Sequence, residues 1–289
     1  MPVINSCYTG SMLVTIDTGG TKTLISSFGR DGKMGESIKF PTPGDPAEYT
    51  KTLQKVVRER YGSSHVDAIV IAMPGVIVDG IVRWAPNVGH GWQNVPIMHM
   101  LQNLLPGVPV LLENDVKLAG LGEARAMRTT PTSVMYISIS TGIGIGVIEN
   151  GKIDQAMRKS EAGHMLIEYD GRVQQYEAFA SGRAIVQVYK KFAREITSKR
   201  TWHQIADRMS RGLLVLIPII QPDVVVFGGS VGTYFERYGE DLAEILTRHL
   251  PDHIPCPQLV QAKHPEEAVV YGCYYYGIDY LAQQKAKKG

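Results

Sequence analysis

Apolar residues along this chain recur with two periods, and the switches between them mark out its elements. Residues 12–16 form an apolar run that predicts a buried strand, and residues 23–28 continue in strand-like alternation. A third strand is expected over about 33–40, behind the turn Arg30-Asp31-Gly32-Lys33. Asp45-Pro46-Ala47-Glu48 reads as a capping box with proline at the first helical position, and Tyr49, Leu53, Val56 and Val57 follow at helical spacing. Apolar runs at 66–72 and 108–112 predict buried strands, and Asp79-Gly80 turns the chain into residues 81–84 between them. A helix is expected from about Val116 through Leu118, Leu121, Ala124 and Met127. Strands follow at 133–140 and 145–149, then the hairpin signal Asn150-Gly151. Residues 202–220 read as a helix with a core face at Ile205, Met209, Leu213, Leu216, Ile217 and Ile220, ahead of a strand at 223–227. Tyr271, Tyr274, Tyr275 and Tyr276 read as helix packing.

Two glycine-rich turns stand at corresponding places. Asp17-Thr18-Gly19-Gly20-Thr21-Lys22 joins the first two strands, and Thr141-Gly142-Ile143-Gly144 joins the pair at 133–149. Strand, small-residue turn, strand at the head of each half predicts a duplicated βββαβα unit in two facing lobes. Adjacent glycines let backbone amides approach an anion, with the Thr21 hydroxyl and Lys22 ammonium adding a donor and a charge. Asp17 could organise a hydrated Mg²⁺ on the phosphates. Either turn would also serve as an ordinary hairpin connection.

Between the turns, the strand at 108–112 stops at Glu113-Asn114-Asp115. Ligands of open α/β sheets sit at the carboxyl ends of strands, so Asp115 is a candidate general base, and Asn114 or Asp115 would equally cap the helix that follows. Asn87, in the polar loop 85–92, offers donor and acceptor to a hydroxylated ligand or makes a Pro-Asn turn; His90 in the same loop is expected at the surface.

At 289 residues the chain has room for two domains of ordinary size, and a formal net charge of +2 argues against a nucleic-acid or membrane-surface partner. Cys7, Cys256 and Cys273 lack metal spacing and are odd in number, so free thiols in a reducing compartment are expected. Residues 1–11 read as a tail without the basic start and apolar run of a signal peptide, and the apolar stretch 213–220 is too short to span a bilayer. A soluble, cytoplasmic protein is the expectation.

These motifs, taken in order with Glu161-Ala162-Gly163-His164, Glu177-Ala178-Phe179-Ala180-Ser181-Gly182 and Val225-Val226-Phe227-Gly228-Gly229-Ser230, closely resemble the ROK sugar kinases over nearly the whole chain. The resemblance implies the actin-like ATPase (ribonuclease H-like) fold: two α/β domains, 12–116 and 117–265, with ATP and sugar in an interdomain cleft. It also implies a final helix, about 266–286, returning to the N-terminal domain. By the same resemblance Asp115 is the general base for transfer from ATP, with Mg²⁺, to the 6-hydroxyl of glucose. Gly75, Asn87, Asn114, Glu161, His164 and Glu177 are implied as sugar ligands. Asp17, Gly19, Gly20, Thr21, Lys22, Thr141, Gly142 and Gly144 are implied to hold the phosphates, with Gly228 and Gly229 against the adenosine. A homodimer is implied as well.

The chain departs from the family between His164 and Glu177, where most members carry a cysteine cluster that binds structural zinc. No cysteine occurs there, so a tetrahedral zinc site cannot be assembled, and packing with hydrogen bonds is expected to orient His164 and Glu177 instead. Zinc-free relatives include glucokinases that accept inorganic polyphosphate, an alternative donor that the near-neutral charge does little to favour. Another hexose or an N-acetylhexosamine (mannose, fructose, allose, N-acetylmannosamine) is an alternative substrate, because one inverted hydroxyl is read by geometry that spacing does not reveal. A non-catalytic sugar-sensing regulator is less expected: the regulators carry a winged helix-turn-helix ahead of the kinase-like part, and only about ten residues precede Met12 here.

Overall fold

The computed structural model describes residues 11–85, 87–89, 91–129, 131–264 and 267–287; Cys7, His90, Glu266 and nearly all of the expected tail lie outside the described residues. The chain folds as two units, Met1–Leu118 with Val269–Gly289, and Ala119–Ala268.

In the first unit β1 (Met12–Thr18), β2 (Lys22–Gly29) and β3 (Met34–Pro41) form an antiparallel meander, and α1 (Pro46–Tyr61) returns the chain to β4 (Val66–Met73). The side chain of Asp45 accepts hydrogen bonds from the Ala47 and Glu48 amides at 3.0 and 2.9 Å, so the expected cap forms. Tyr49, Leu53, Val57 and Tyr61 are then buried at a spacing of four. Three short strands, β5 (Val76–Val78), β6 (Ile81–Trp84) and β7 (Gln93–Val95), make a separate sheet, and α2 (Ile97–Leu101) leads to β8 (Val110–Asn114). Of the small sheet only β6 was expected, because runs of three residues are too short for a period to register. The main sheet has the order β3-β2-β1-β4-β8, with β1, β4 and β8 parallel.

Helix α3 (Asp115–Arg125) starts at Asp115 and ends two residues before the expected Met127. The second unit then repeats the arrangement. Strands β9 (Ser133–Ile139), β10 (Ile143–Glu149) and β11 (Lys152–Ile153) form the meander. A hairpin follows, β12 (Leu166–Tyr169) and β13 (Arg172–Gln175), then α4 (Tyr176–Ala180), α5 (Gly182–Tyr189) and α6 (Lys199–Ile220). Helix α6 begins three residues before the expected start because the Ser198 hydroxyl caps it, accepting from the Thr201 amide. Its residues Ile205, Met209, Leu213, Leu216 and Ile217 are buried in the core as expected. The chain continues through β14 (Val224–Gly228), α7 (Gly229–Gly232), α8 (Gly239–His249) and β15 (Gln258–Gln261). The sheet order β11-β10-β9-β14-β15, with β9, β14 and β15 parallel, matches the first unit strand for strand. The duplicated α/β core of the actin-like ATPase fold is therefore present.

The last helix, α9 (Ala268–Ala286), belongs mostly to the first unit, where Val270 and Tyr274 pack with Leu13, Phe28 and Ala68. Tyr274 stacks on Phe28 with ring centroids 5.1 Å apart, a packing role. A methyl group at Gly272 would lie 1.8 Å from the Leu118 carbonyl oxygen, and a backbone atom cannot swing aside. Gly272→Ala is expected to cost about 1–3 kcal/mol or more, as overpacked sites do; thermal unfolding checks it, and an unchanged Tm would refute the contact. Among the described residues no helix is long and apolar enough to cross a membrane.

Candidate functional site

Parallel strands that end together bring their terminal residues to one edge. Register pairs Asp17 of β1 with Ala72 of β4, and Ala72 with Glu113 of β8, so Gly19, Gly75 and Asp115 follow just beyond the same edge. The turn between β1 and β2 is closed by the Gly19 amide donating to the Lys22 carbonyl at 3.0 Å. That amide is therefore spent on the turn, whereas the Gly20 and Thr21 amides make no hydrogen bond among the described residues. The Thr21 and Lys22 side chains are exposed. Thr42, just past β3, braces the turn: its hydroxyl donates to the Gly19 carbonyl at 2.8 Å and its amide to the Thr21 carbonyl at 3.0 Å. Nothing in the local sequence marked Thr42, because its partners lie about twenty positions away. Gly20 presses against Asn87, whose carbonyl oxygen would lie 2.3 Å from a methyl group there, so the structure brings Asn87 to this turn.

Asn114 settles how the end of β8 is built. Its Nδ2 donates to the Gly75 carbonyl at 3.0 Å and its Oδ1 accepts from the Lys117 amide at 3.2 Å, capping α3. Capping is therefore the work of Asn114, and Asp115, whose Oδ1 accepts from the Val116 amide at 2.9 Å, begins the helix with its carboxylate near Asp17. Gly75 takes φ +90°, a conformation L side chains rarely adopt, where the chain leaves β4. The Asp17 carboxyl is pushed up to about 7, first by desolvation and then by the charge of Asp115, with Lys39 opposing. Lys39 stands in the same cross-strand row as Asp17, through Leu24.

The second unit carries its own cluster. Glu161 is exposed and precedes a single 3-10 turn, Ala162–His164. His164 faces Glu177 of α4, Nε2 to Oε1 3.9 Å. Glu177 Oε2 accepts from the Ile143 amide at 3.2 Å, and a methyl group at Gly142 would come within 2.5 Å of it. The carboxylate is thus fixed against the second glycine turn. The Tyr176 amide donates to the Met165 carbonyl at 2.8 Å, tying α4 to the segment that follows His164. Tyr169 of the hairpin stacks on Phe179 at 4.4 Å. These contacts hold Glu177 and tie α4 to the hairpin that follows His164. Among the described residues no group of three or more His, Cys, Asp or Glu side chains is placed to hold a metal ion.

At the carboxyl ends of β9 and β14 lies a cavity of about 400 Å³ whose walls include Ser140, Thr141, Gly182, Arg183, Ser230 and Tyr234. Ser140 organises this corner: its Oγ accepts from the Ser230 amide at 2.9 Å and its carbonyl from the Gly182 amide at 2.7 Å. Thr141 and Gly182 line this cavity, and Gly144, Gly228 and Gly229 do not. Gly144 lies inside β10, paired with Ser138 of β9. Gly228 is buried beside the Tyr136 hydroxyl, and Gly229, at φ +77°, packs against the Ile139 carbonyl, so Ser230 and Val231 line the cavity in their place. Ser140, Arg183 and Tyr234 went unmarked in the sequence: Ser140 meets Ser230 across 90 positions, and only the fold brings these residues to one cavity.

Residues 13–279 match the ROK family. An N-acetylmannosamine kinase from Shigella flexneri is 29% identical over 245 residues, spanning 76% of this chain and 83% of that protein. Among solved structures, the ROK hexokinase from Thermus thermophilus is 28% identical with a TM-score of 0.76, covering 93% of this chain and 99% of the hexokinase. The inorganic polyphosphate/ATP-glucomannokinase from Arthrobacter sp. strain KM is 27% identical with a TM-score of 0.69, covering 95% of this chain and 100% of that one.

Proposed function

The chain belongs to the ROK family, and from that premise we propose that it is an ATP-dependent sugar kinase acting on the 6-hydroxyl of a hexose, glucose first. The observation that carries this reading is the pair of carboxylates, Asp17 and Asp115, at the shared end of parallel strands beside a turn with two unengaged amides. Asp115 takes the proton as the sugar hydroxyl attacks the γ-phosphorus; positioning and charge stabilisation do the rest, and general-base help adds about 10²–10⁴-fold. The Gly20 and Thr21 amides, with Lys22, receive phosphate oxygens. Asn87, Glu161, His164 and Glu177 are the sugar-hydroxyl ligands, suited to groups that both donate and accept. Asn114, with both ends of its amide engaged, holds Asp115 in place.

Magnesium enters with ATP. The residues present fit it: Asp17 is a desolvated carboxylate with a second carboxylate nearby, a setting that a cation relieves, and magnesium would there neutralise charge on the transferring phosphoryl group. A nucleotide donor is favoured over polyphosphate because Phe192 and Tyr234 in the walls of the cavity beside β9 and β14 offer aromatic surface to a base, which polyphosphate lacks. A second sugar reading, N-acetylmannosamine, is supported by the similarity to the Shigella kinase.

A coupled ADP-release assay over hexoses and N-acetylhexosamines, with ATP and with polyphosphate, tests the reading. Glucose turned over with ATP is the expected result; preference for N-acetylmannosamine would replace the substrate while keeping the reaction, and no turnover with any sugar would remove it. Metal analysis of the purified protein is expected to find no stoichiometric zinc, and one zinc per chain would contradict the metal-free orientation of His164 and Glu177.

A further inference from the structure

Strong discrimination between nucleotide bases requires buried hydrogen-bonding groups that the wrong base leaves unpaired, whereas an apolar slot separates similar ligands by only about 10–200-fold. No polar side chain in the lining of the cavity at the ends of β9 and β14 is buried: Ser140, Thr141, Arg183, Gln187, Arg194 and Ser230 are all exposed or half-buried. Of the backbone groups in the lining, the Gly182 and Ser230 amides are engaged by Ser140, the Ala193 carbonyl by the Ile196 amide at 3.2 Å, and the Val231 carbonyl by the Tyr234 amide at 3.0 Å.

What the cavity does offer is aromatic surface. Phe192, between α5 and α6, lines it while 53% exposed, an unusual place for a large apolar ring. It is held there by its amide, which donates to Glu195 Oε2 at 2.8 Å, and by the Arg194 guanidinium 4.8 Å from its ring centre. Tyr234, also in the lining, is fixed by the Arg237 guanidinium at 4.7 Å. Stacking on such rings is tolerant of base identity because every purine has a π-face.

Resting on the kinase reading above, we propose that this cavity holds the donor's purine by stacking on Phe192 and Tyr234 without reading its edge, so that the protein accepts purine nucleoside triphosphates as a class. The test compares ATP, GTP and ITP at saturating sugar and measures ADP and GDP binding by calorimetry. Values of kcat/KM for the three donors within about tenfold are expected, as an unread edge implies. Larger discrimination overturns the proposal. Phe192→Ala, a change at an exposed ring that leaves the core intact, is expected to raise KM for all three donors by a similar factor of about 5–150, the size of one lost stacking contact. A loss confined to one base, or no change in any KM, overturns it too. ADP and GDP binding equally while no sugar is phosphorylated would remove the kinase reading and leave the unread purine site; failure of both to bind would remove both.

Discussion

Replacing Asp115 with asparagine is expected to lower kcat by about 10²–10⁴-fold, the range that general-base help supplies, while sugar binding measured by calorimetry changes little. The side chain stands at the first position of α3 with Oδ1 accepting from the Val116 amide at 2.9 Å, and the asparagine oxygen preserves that bond. The cap of the helix is Asn114, untouched by the change. Fold and ligand contacts therefore survive, and only the capacity to accept a proton is lost. A fall in kcat with KM unchanged is the signature of an interaction made in the transition state. Near-normal turnover would exclude Asp115 as the base.

Asp17→Asn is expected to abolish most activity and yet to stabilise the protein above neutral pH. The activity loss, about 10²–10³-fold or more, follows from removing the carboxylate assigned to the magnesium of the donor, a loss of the size seen for preorganised charge-stabilising groups. The stability change follows from linkage. The Asp17 carboxyl is raised from 3.8 to about 7, first by desolvation and second by Asp115. Below about pH 4 folded and unfolded chains both hold the proton. As pH rises from there to about 7, the unfolded chain has released it and the folded one has not, so stability falls; above that window the loss is complete. Each unit corresponds to about 1.4 kcal/mol, so the asparagine variant, which has no proton to lose, should exceed the wild type by on the order of 2–4 kcal/mol at pH 8 and match it near pH 4. Chemical denaturation at the two pH values reads this out. Equal stability of variant and wild type at pH 8 would show that Asp17 is not held in the desolvated setting described. In Asp115→Asn the second cause disappears, so the pH window for Asp17 should shift downward.

The two effects share an origin in the placing of like charges at one sheet edge. Two carboxylates at the ends of β1 and β8 cost stability in the free protein, and that cost is what makes the edge receptive to a cation.

The sequence by itself determined the longer elements of each half and their duplication. The apolar run of β1, the alternation of β2, the Asp45 cap, and the core face of α6 are properties of neighbours a few residues apart, where side-chain type sets backbone conformation and period directly. The place of Asp115 at a strand end is local in the same sense. Tertiary structure alone decided which polar atoms are free. Gly19 and Gly20 look alike in the chain, yet one amide closes the turn and the other stays open among the described residues, and the bracing threonine comes from just past β3. Gly144 and Gly228 belong to glycine motifs but serve strand pairing and the approach of Tyr136, while Ser140, Ser230 and Tyr234 line the cavity. Glu177 meets the Ile143 amide across 34 positions. A hydrogen bond needs its partner within about 3 Å, and which distant residue arrives there is set by how sheets and helices pack, a property that no stretch of sequence carries alone.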